Sequence, residues 1–189
     1  MKNPEQISEH FKQQRHPVTS NNSKKLALLH QNCQSLTNKV TELEILLAEC
    51  ESDIVCLSEH WYQNNTILGV NLENYRILDY FSRSQFKQGG TAIFGKLGIS
   101  GEPIEKIKDL CVELHFECSA VRFNHPNFGK FIVAALYRSS SHGNVDIFID
   151  KLISLLDILS KFQGYSIILT GQLWNNVLMS ILPQTFFTI

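Results

Sequence analysis

The stretch Leu26-Ala27-Leu28-Leu29-His30-Gln31-Asn32, the segment Val40 to Cys50, and the stretch Asp53-Ile54-Val55-Cys56-Leu57-Ser58-Glu59 decide the fold. Leu26 to His30 is a short apolar run between polar neighbours and predicts a buried strand. The period then changes. Val40, Leu43, Leu46, Leu47 and Cys50 recur every third or fourth place, while Glu42, Glu44, Glu49 and Glu51 lie off that stripe. This predicts an amphipathic helix, with Ser35 or Thr37 available to cap its start. Ile54 to Leu57 is a second apolar run. Strand, helix and strand within about 33 residues is the length of a crossover unit joining parallel strands, so an α/β architecture is implied.

Working outward, Tyr75–Tyr80, Thr91–Phe94, Val112–Phe123 and Phe131–Tyr137 read as strands separated by Gly, Asn and Pro turns, which predicts antiparallel hairpins. In the third run Val112, Leu114, Phe116 and Cys118 alternate with Glu113, His115 and Glu117, so one face is expected buried and the other wet. Val145, Phe148, Ile149, Leu152, Leu155, Leu156 and Leu159 form the stripe of a second helix, and Ser166–Thr170 is one more buried strand. The pattern suits a mixed sheet or two packed sheets with helices outside.

The chain has 189 residues, 43% of them hydrophobic and 19% charged, which excludes collagen, low-complexity and wholly disordered classes. A net charge of -1 supplies no global field toward nucleic acid or membrane. Residues 1–25 are polar and basic and are expected to be a mobile leader. No run of about 18 apolar residues exists, so no membrane span is predicted. The five cysteines lack any C-x-x-C pair, which fits reduced thiols in an intracellular protein. From Phe162 to Ile189 no residue is charged, and residues 179–189 form an atypical apolar tail.

Polar residues at the carboxyl ends of strands are the candidate site, because ligands of α/β sheets gather there. Asn32 follows the first strand, Glu59 the second, Tyr137 ends the Phe131 strand, and Gln172 follows Gly171. Asn32-Cys33-Gln34-Ser35-Leu36, Lys39-Val40-x-x-Leu43, Asp53 to Trp61, Gly89 to Phe94, Ala135 to Ser140 and Ile167 to Gly171 together resemble the endonuclease/exonuclease/phosphatase superfamily. Within it the chain is most similar to the apurinic-endonuclease-like domain of non-LTR retrotransposons, over about residues 26–178.

The resemblance implies a four-layered α/β sandwich, incomplete at the C-terminus, and metal-dependent hydrolysis of DNA phosphodiesters. It implies that Glu59 and Asn32 hold Mg²⁺ and that Tyr137 approaches the scissile phosphate. A hard ion that keeps several waters needs only one or two protein oxygens. Two departures matter. Where the family has Asp-x-Asn, this chain has Gln172-Leu173-Trp174, so Gln172 replaces the water-activating Asp and Trp174 the Asn. None of the seven His lies in the family's Ser-Asp-His context. The expected protein is a retroelement-derived endonuclease-like domain, inactive by itself, with DNA as its partner if it has one and an exposed sheet edge able to take another chain. Two alternatives stay open. One is a non-catalytic nucleic-acid-binding module using Arg83, Phe86, Lys87, Phe94 and Lys96; the other is a phosphoesterase acting on a small phosphoester.

Overall fold

The computed structural model describes residues 25–140 and 143–172. The leader up to residue 24, the tail from 179 and Trp174 lie outside the described residues.

Two four-stranded sheets pack face to face, and each carries a helix on its outer side. The first contains β1 (Leu28–Asn32), β2 (Ile54–Ser58), β3 (Tyr75–Phe81) and β4 (Thr91–Lys96), in the order β1-β2-β4-β3. The second contains β5 (Gly101–Pro103), β6 (Glu117–His125), β7 (Gly129–Tyr137) and β8 (Ser166–Gln172), in that order. β1 and β2 are parallel, joined by α1 (Val40–Cys50), and β7 and β8 are parallel, joined by α3 (Val145–Ser160). The remaining pairings are antiparallel, including the β6–β7 hairpin. Among the described residues, a 3₁₀ turn (Thr66–Gly69) and the short α2 (Glu105–Lys108) complete the elements.

Three apolar layers hold the sandwich. Leu43, Leu46 and Leu47 of α1 pack on Val55, Leu57, Ala92 and Phe94. Phe148, Leu152, Leu155 and Leu159 of α3 pack on Phe116, Cys118, Ile132 and Leu136. Between the sheets lie Ile54, Cys56, Ile93, Val121, Phe123, Phe131 and Val133. Each large side chain so buried contributes about 1.5–3 kcal/mol relative to exposure. This is the four-layered α/β sandwich that the resemblance implies.

Three local expectations are corrected. β1 begins at Leu28 and runs on to Asn32, two residues later than the apolar run. Neither Ser35 nor Thr37 caps α1; Lys39 stands at the cap without a side-chain cap bond. Gln34, Ser35 and Asn38 take left-handed φ values of 43°, 78° and 61°, coiling the link tightly, and Lys39 Nζ donates to the carbonyls of Cys33 and Gln34 at 2.8 and 3.0 Å. Finally, Val112–Phe116 is no strand. The bonds Val112 N–Phe116 O (2.7 Å) and Phe116 N–Val112 O (2.8 Å) close a reversal around Leu114, whose φ is 74°. Glu117, expected on a wet face, is 0% exposed, because β6 lies inside its sheet with the other sheet on one face and α3 on the other.

Candidate functional site

The parallel pairs β1–β2 and β7–β8 deliver their carboxyl ends to one rim. Asn32 stands opposite Ser58 in the register, one residue short of Glu59, and Tyr137 stands opposite Gln172. Gly171 makes the second pairing possible: its φ is 152°, and a Cβ there would sit 2.0 Å from Leu136 O, so no larger residue lets β8 lie this close to β7.

Glu59 is the centre of the rim. Its Oε1 accepts from Asn32 Nδ2 at 2.8 Å and its Oε2 from the Trp61 indole Nε1 at 3.4 Å, and the Tyr137 phenol lies near enough to feel the charge of the same carboxylate. Asn32 Oδ1 is turned away and takes the Gln34 N–H at 3.0 Å. As arranged, Asn32 orients the carboxylate with its nitrogen instead of offering an oxygen to an ion.

The backbone here is held under strain. Glu59 and Trp61 have φ values of 55° and 66°, a region that costs a non-glycine residue on the order of 1 kcal/mol. Four bonds enforce it. Glu59 N–H donates to Gly90 O (2.8 Å) and Trp61 N–H to Gly89 O (2.9 Å), while Ser35 and Leu36 donate to the carbonyls of Glu59 and His60 at 2.9 and 3.1 Å.

Tyr137, Cys33 and His60 are shifted away from proton transfer at neutral pH. Burial, then the charges of Glu59 and Glu117, pushes the Tyr137 phenol up, so it stays protonated. Burial pushes the Cys33 thiol up to about 12. His60 is wholly buried: Tyr62 N–H donates to its Nδ1, its Nε2 meets Phe81 O, and burial brings it down to about 4. With Nδ1 accepting, Nε2 carries the proton and donates to that carbonyl.

The structure therefore brings together Asn32, Glu59 and Tyr137, and sets the backbone of Gln172 beside Tyr137. Sequence reasoning missed Trp61, although its place two residues after the strand-end carboxylate is a usable signal. It also misplaced the candidate nucleic-acid contacts. Arg83 and Phe94 are 3% and 1% exposed, so neither faces a ligand, while Phe86 and Lys87 are on the surface. Among the described residues no group of three or more His, Cys, Asp and Glu is placed to hold a metal, and no helix is long and apolar enough to cross a membrane.

No family model matches the chain, and no curated protein matches its sequence. Solved structures do. TDP2 of D. rerio, complexed with a single-strand DNA product, aligns at TM-score 0.57 and 15% identity, covering 78% of this chain and 60% of its own. The endonuclease domain of TRAS1, a telomere-specific non-LTR retrotransposon, aligns at 0.58 and 13%, with the same coverage. An endonuclease/exonuclease/phosphatase family protein of Bacteroides thetaiotaomicron aligns at 0.56 and 12%, covering 78% of this chain and 61% of its own. The fold is that of the endonuclease/exonuclease/phosphatase superfamily. A retrotransposon endonuclease is among its structural neighbours, and the chain spans about three-fifths of the length of each of these three proteins.

Proposed function

We propose that the chain is a retroelement-derived endonuclease-like domain that keeps the ion- and phosphate-facing half of a phosphodiesterase site and lacks the half that activates water. The single observation that carries this is the Glu59 carboxylate, gripped by Asn32 and Trp61 on a strained turn beside the Tyr137 phenol, with an amide residue, Gln172, where the family pattern has its Asp. The donor set fits Mg²⁺ only in a minimal sense: Glu59 supplies one anionic oxygen, and substrate phosphate and water would have to supply the rest. Once bound, such an ion would polarise a phosphoryl oxygen. Asn32 orients Glu59, and the protonated Tyr137 phenol is a donor for charge developing on phosphate. The other carboxylate near Tyr137, Glu117, is committed to Arg83.

A positioned general base contributes about 10²–10⁴ in rate. Without one, hydrolysis by this chain falls toward background. The test is nicking of supercoiled plasmid by the purified protein with and without Mg²⁺, next to Mn²⁺ binding followed by electron paramagnetic resonance. The expected result is weak Mn²⁺ binding lost in Glu59→Gln and no nicking. Chelator-sensitive nicking that Glu59→Ala abolishes would overturn the inactive half of the reading, and Mn²⁺ binding indifferent to Glu59→Gln would overturn the other half.

A further inference from the structure

Beneath the rim lies a buried ion pair that the proposed chemistry does not use. Glu117 Oε1 accepts from Arg83 Nε at 2.6 Å and from the Leu114 N–H at 3.0 Å, and forms an ion pair with Arg83 Nη2 at 2.5 Å, while its Oε2 accepts the Gly90 N–H at 2.6 Å. Arg83 Nη1 donates to Lys87 O at 3.0 Å, and the guanidinium lies 5.9 Å from the centre of the Tyr137 ring. It occupies the space that Gly89 leaves, where a Cβ would stand 2.3 Å from Cζ. Gly90 is equally constrained from the other side: a Cβ there would meet the His60 ring at 2.3 Å.

A neutralised pair at 3% and 0% side-chain exposure has no charge to offer a ligand. What it holds is backbone. The pair grips Gly90 through its N–H and packs under Gly89, and the carbonyls of those two glycines are the acceptors for the amides of Glu59 and Trp61. Glu117 also stands opposite Tyr137 in the β6–β7 register, so it touches the site from both sides. A carboxylate pointing into a core need not be tied to a Gly-Gly turn. Here the tie ends on Glu59 and Trp61, two rim residues that carry left-handed strain without being glycine.

We propose that the Arg83–Glu117 pair is the positioning element of this site, acting through Gly89 and Gly90 to hold the turn that aims the Glu59 carboxylate and the Trp61 indole. The inference rests on the reading of Glu59 as the ion-holding carboxylate. Outer residues that orient a metal ligand typically govern about 10- to 100-fold in metal affinity.

The test uses the full chain carrying Trp174→Phe, which leaves Trp61 as its one indole. Glu117→Gln removes the charge and keeps the shape; Arg83→Lys keeps the charge and removes the fork. Asp79→Asn, which alters a buried carboxylate elsewhere between the sheets, is the control. Two quantities are read: the ¹⁵N–H resonance of the Trp61 indole and the affinity for Mn²⁺. Glu117→Gln and Arg83→Lys are expected to displace the indole resonance and weaken Mn²⁺ about tenfold, while Asp79→Asn moves neither. A folded Glu117→Gln or Arg83→Lys protein with the indole resonance unmoved overturns the proposal. If the unaltered chain binds no Mn²⁺, the ion-holding reading fails and the indole resonance alone decides the positioning role. Should both variants fail to fold, amide exchange in the unaltered chain decides: Glu59 and Trp61 amides protected to the level of the β6 core support the tie, and rapid exchange at either overturns it.

Discussion

The side-chain amide of Asn32 donates to Oε1 of Glu59 across 2.8 Å, joining the ends of two parallel strands whose residues are 27 apart in the chain. The bond shows which group of the amide faces the carboxylate, and that decides how the site responds to substitution. Asn32→Asp places a second carboxylate against the first and forces one of the two to hold its proton at higher pH. A carboxyl raised in the folded state binds more protons than in the unfolded one, so stability falls as pH rises. At pH 8 in chelator the variant is expected to melt several degrees below the parent, and Mg²⁺ should recover part of the loss. A melting temperature indifferent to Mg²⁺ would count against an ion at this position.

His60 gives a pH dependence of opposite sign. Burial depresses it from 6.5 to about 4, so between these values the unfolded chain binds a proton that the folded chain does not. Its contribution is complete above about pH 6.5 and is lost as pH falls toward 4, amounting to about 3 kcal/mol over the window. Urea midpoints measured from pH 7 to pH 4 should fall, and fall less steeply in His60→Gln. Equal slopes in the two proteins would contradict the assignment.

Asp79 ties the sheets together at the far edge. A register shift in β3 between Ile77 and Asp79 aims the carboxylate at the second sheet, where Oδ2 accepts the Ala120 N–H at 2.8 Å and Oδ1 pairs with Lys108 at 3.1 Å. Asp79→Ala strands a buried N–H and is expected to cost about 1–3 kcal/mol. Asp79→Asn can still present an oxygen and should cost less. If the two variants lose the same stability in urea, the bond to Ala120 is not what the residue contributes.

Gly171 has the least room of any glycine for a side chain. An added methyl meets Leu136 O at 2.0 Å, and the clash involves backbone, which cannot swing aside as a side chain can. Gly171→Ala is expected to cost roughly 3 kcal/mol or more and to release β8 from β7, exposing the β7 amides that pair with it to hydrogen exchange. Protection of those amides at the parental level would show that β8 does not depend on this contact.

Much of the layered fold is legible in the chain because periodicity is a local property. The stripes of α1 and α3 and the short apolar runs around them are set by neighbours a turn or a pleat away, and the length of the first crossover suits the parallel pairing of β1 and β2. Asn32, Glu59 and Tyr137 stand out for the same reason, since the end of a strand is visible from the strand itself. Glu117 and Arg83 are different. The alternation around Glu117 is that of a half-wet strand, and Arg83 lies in a polar loop, so each reads as exposed until it has a partner 34 residues away.

The sequence by itself therefore determined the layers, the crossovers and which polar side chains end the strands, because helix and strand periods are written residue by residue. Only the tertiary structure decided that Asn32 faces Glu59 with its nitrogen, that His60 is sealed and neutral, and that Arg83 and Glu117 neutralise one another beneath the rim. Burial and charge pairing depend on what two distant segments bring to the same place, and desolvation makes a lone buried charge so costly that the partner, not the local pattern, sets where each one goes.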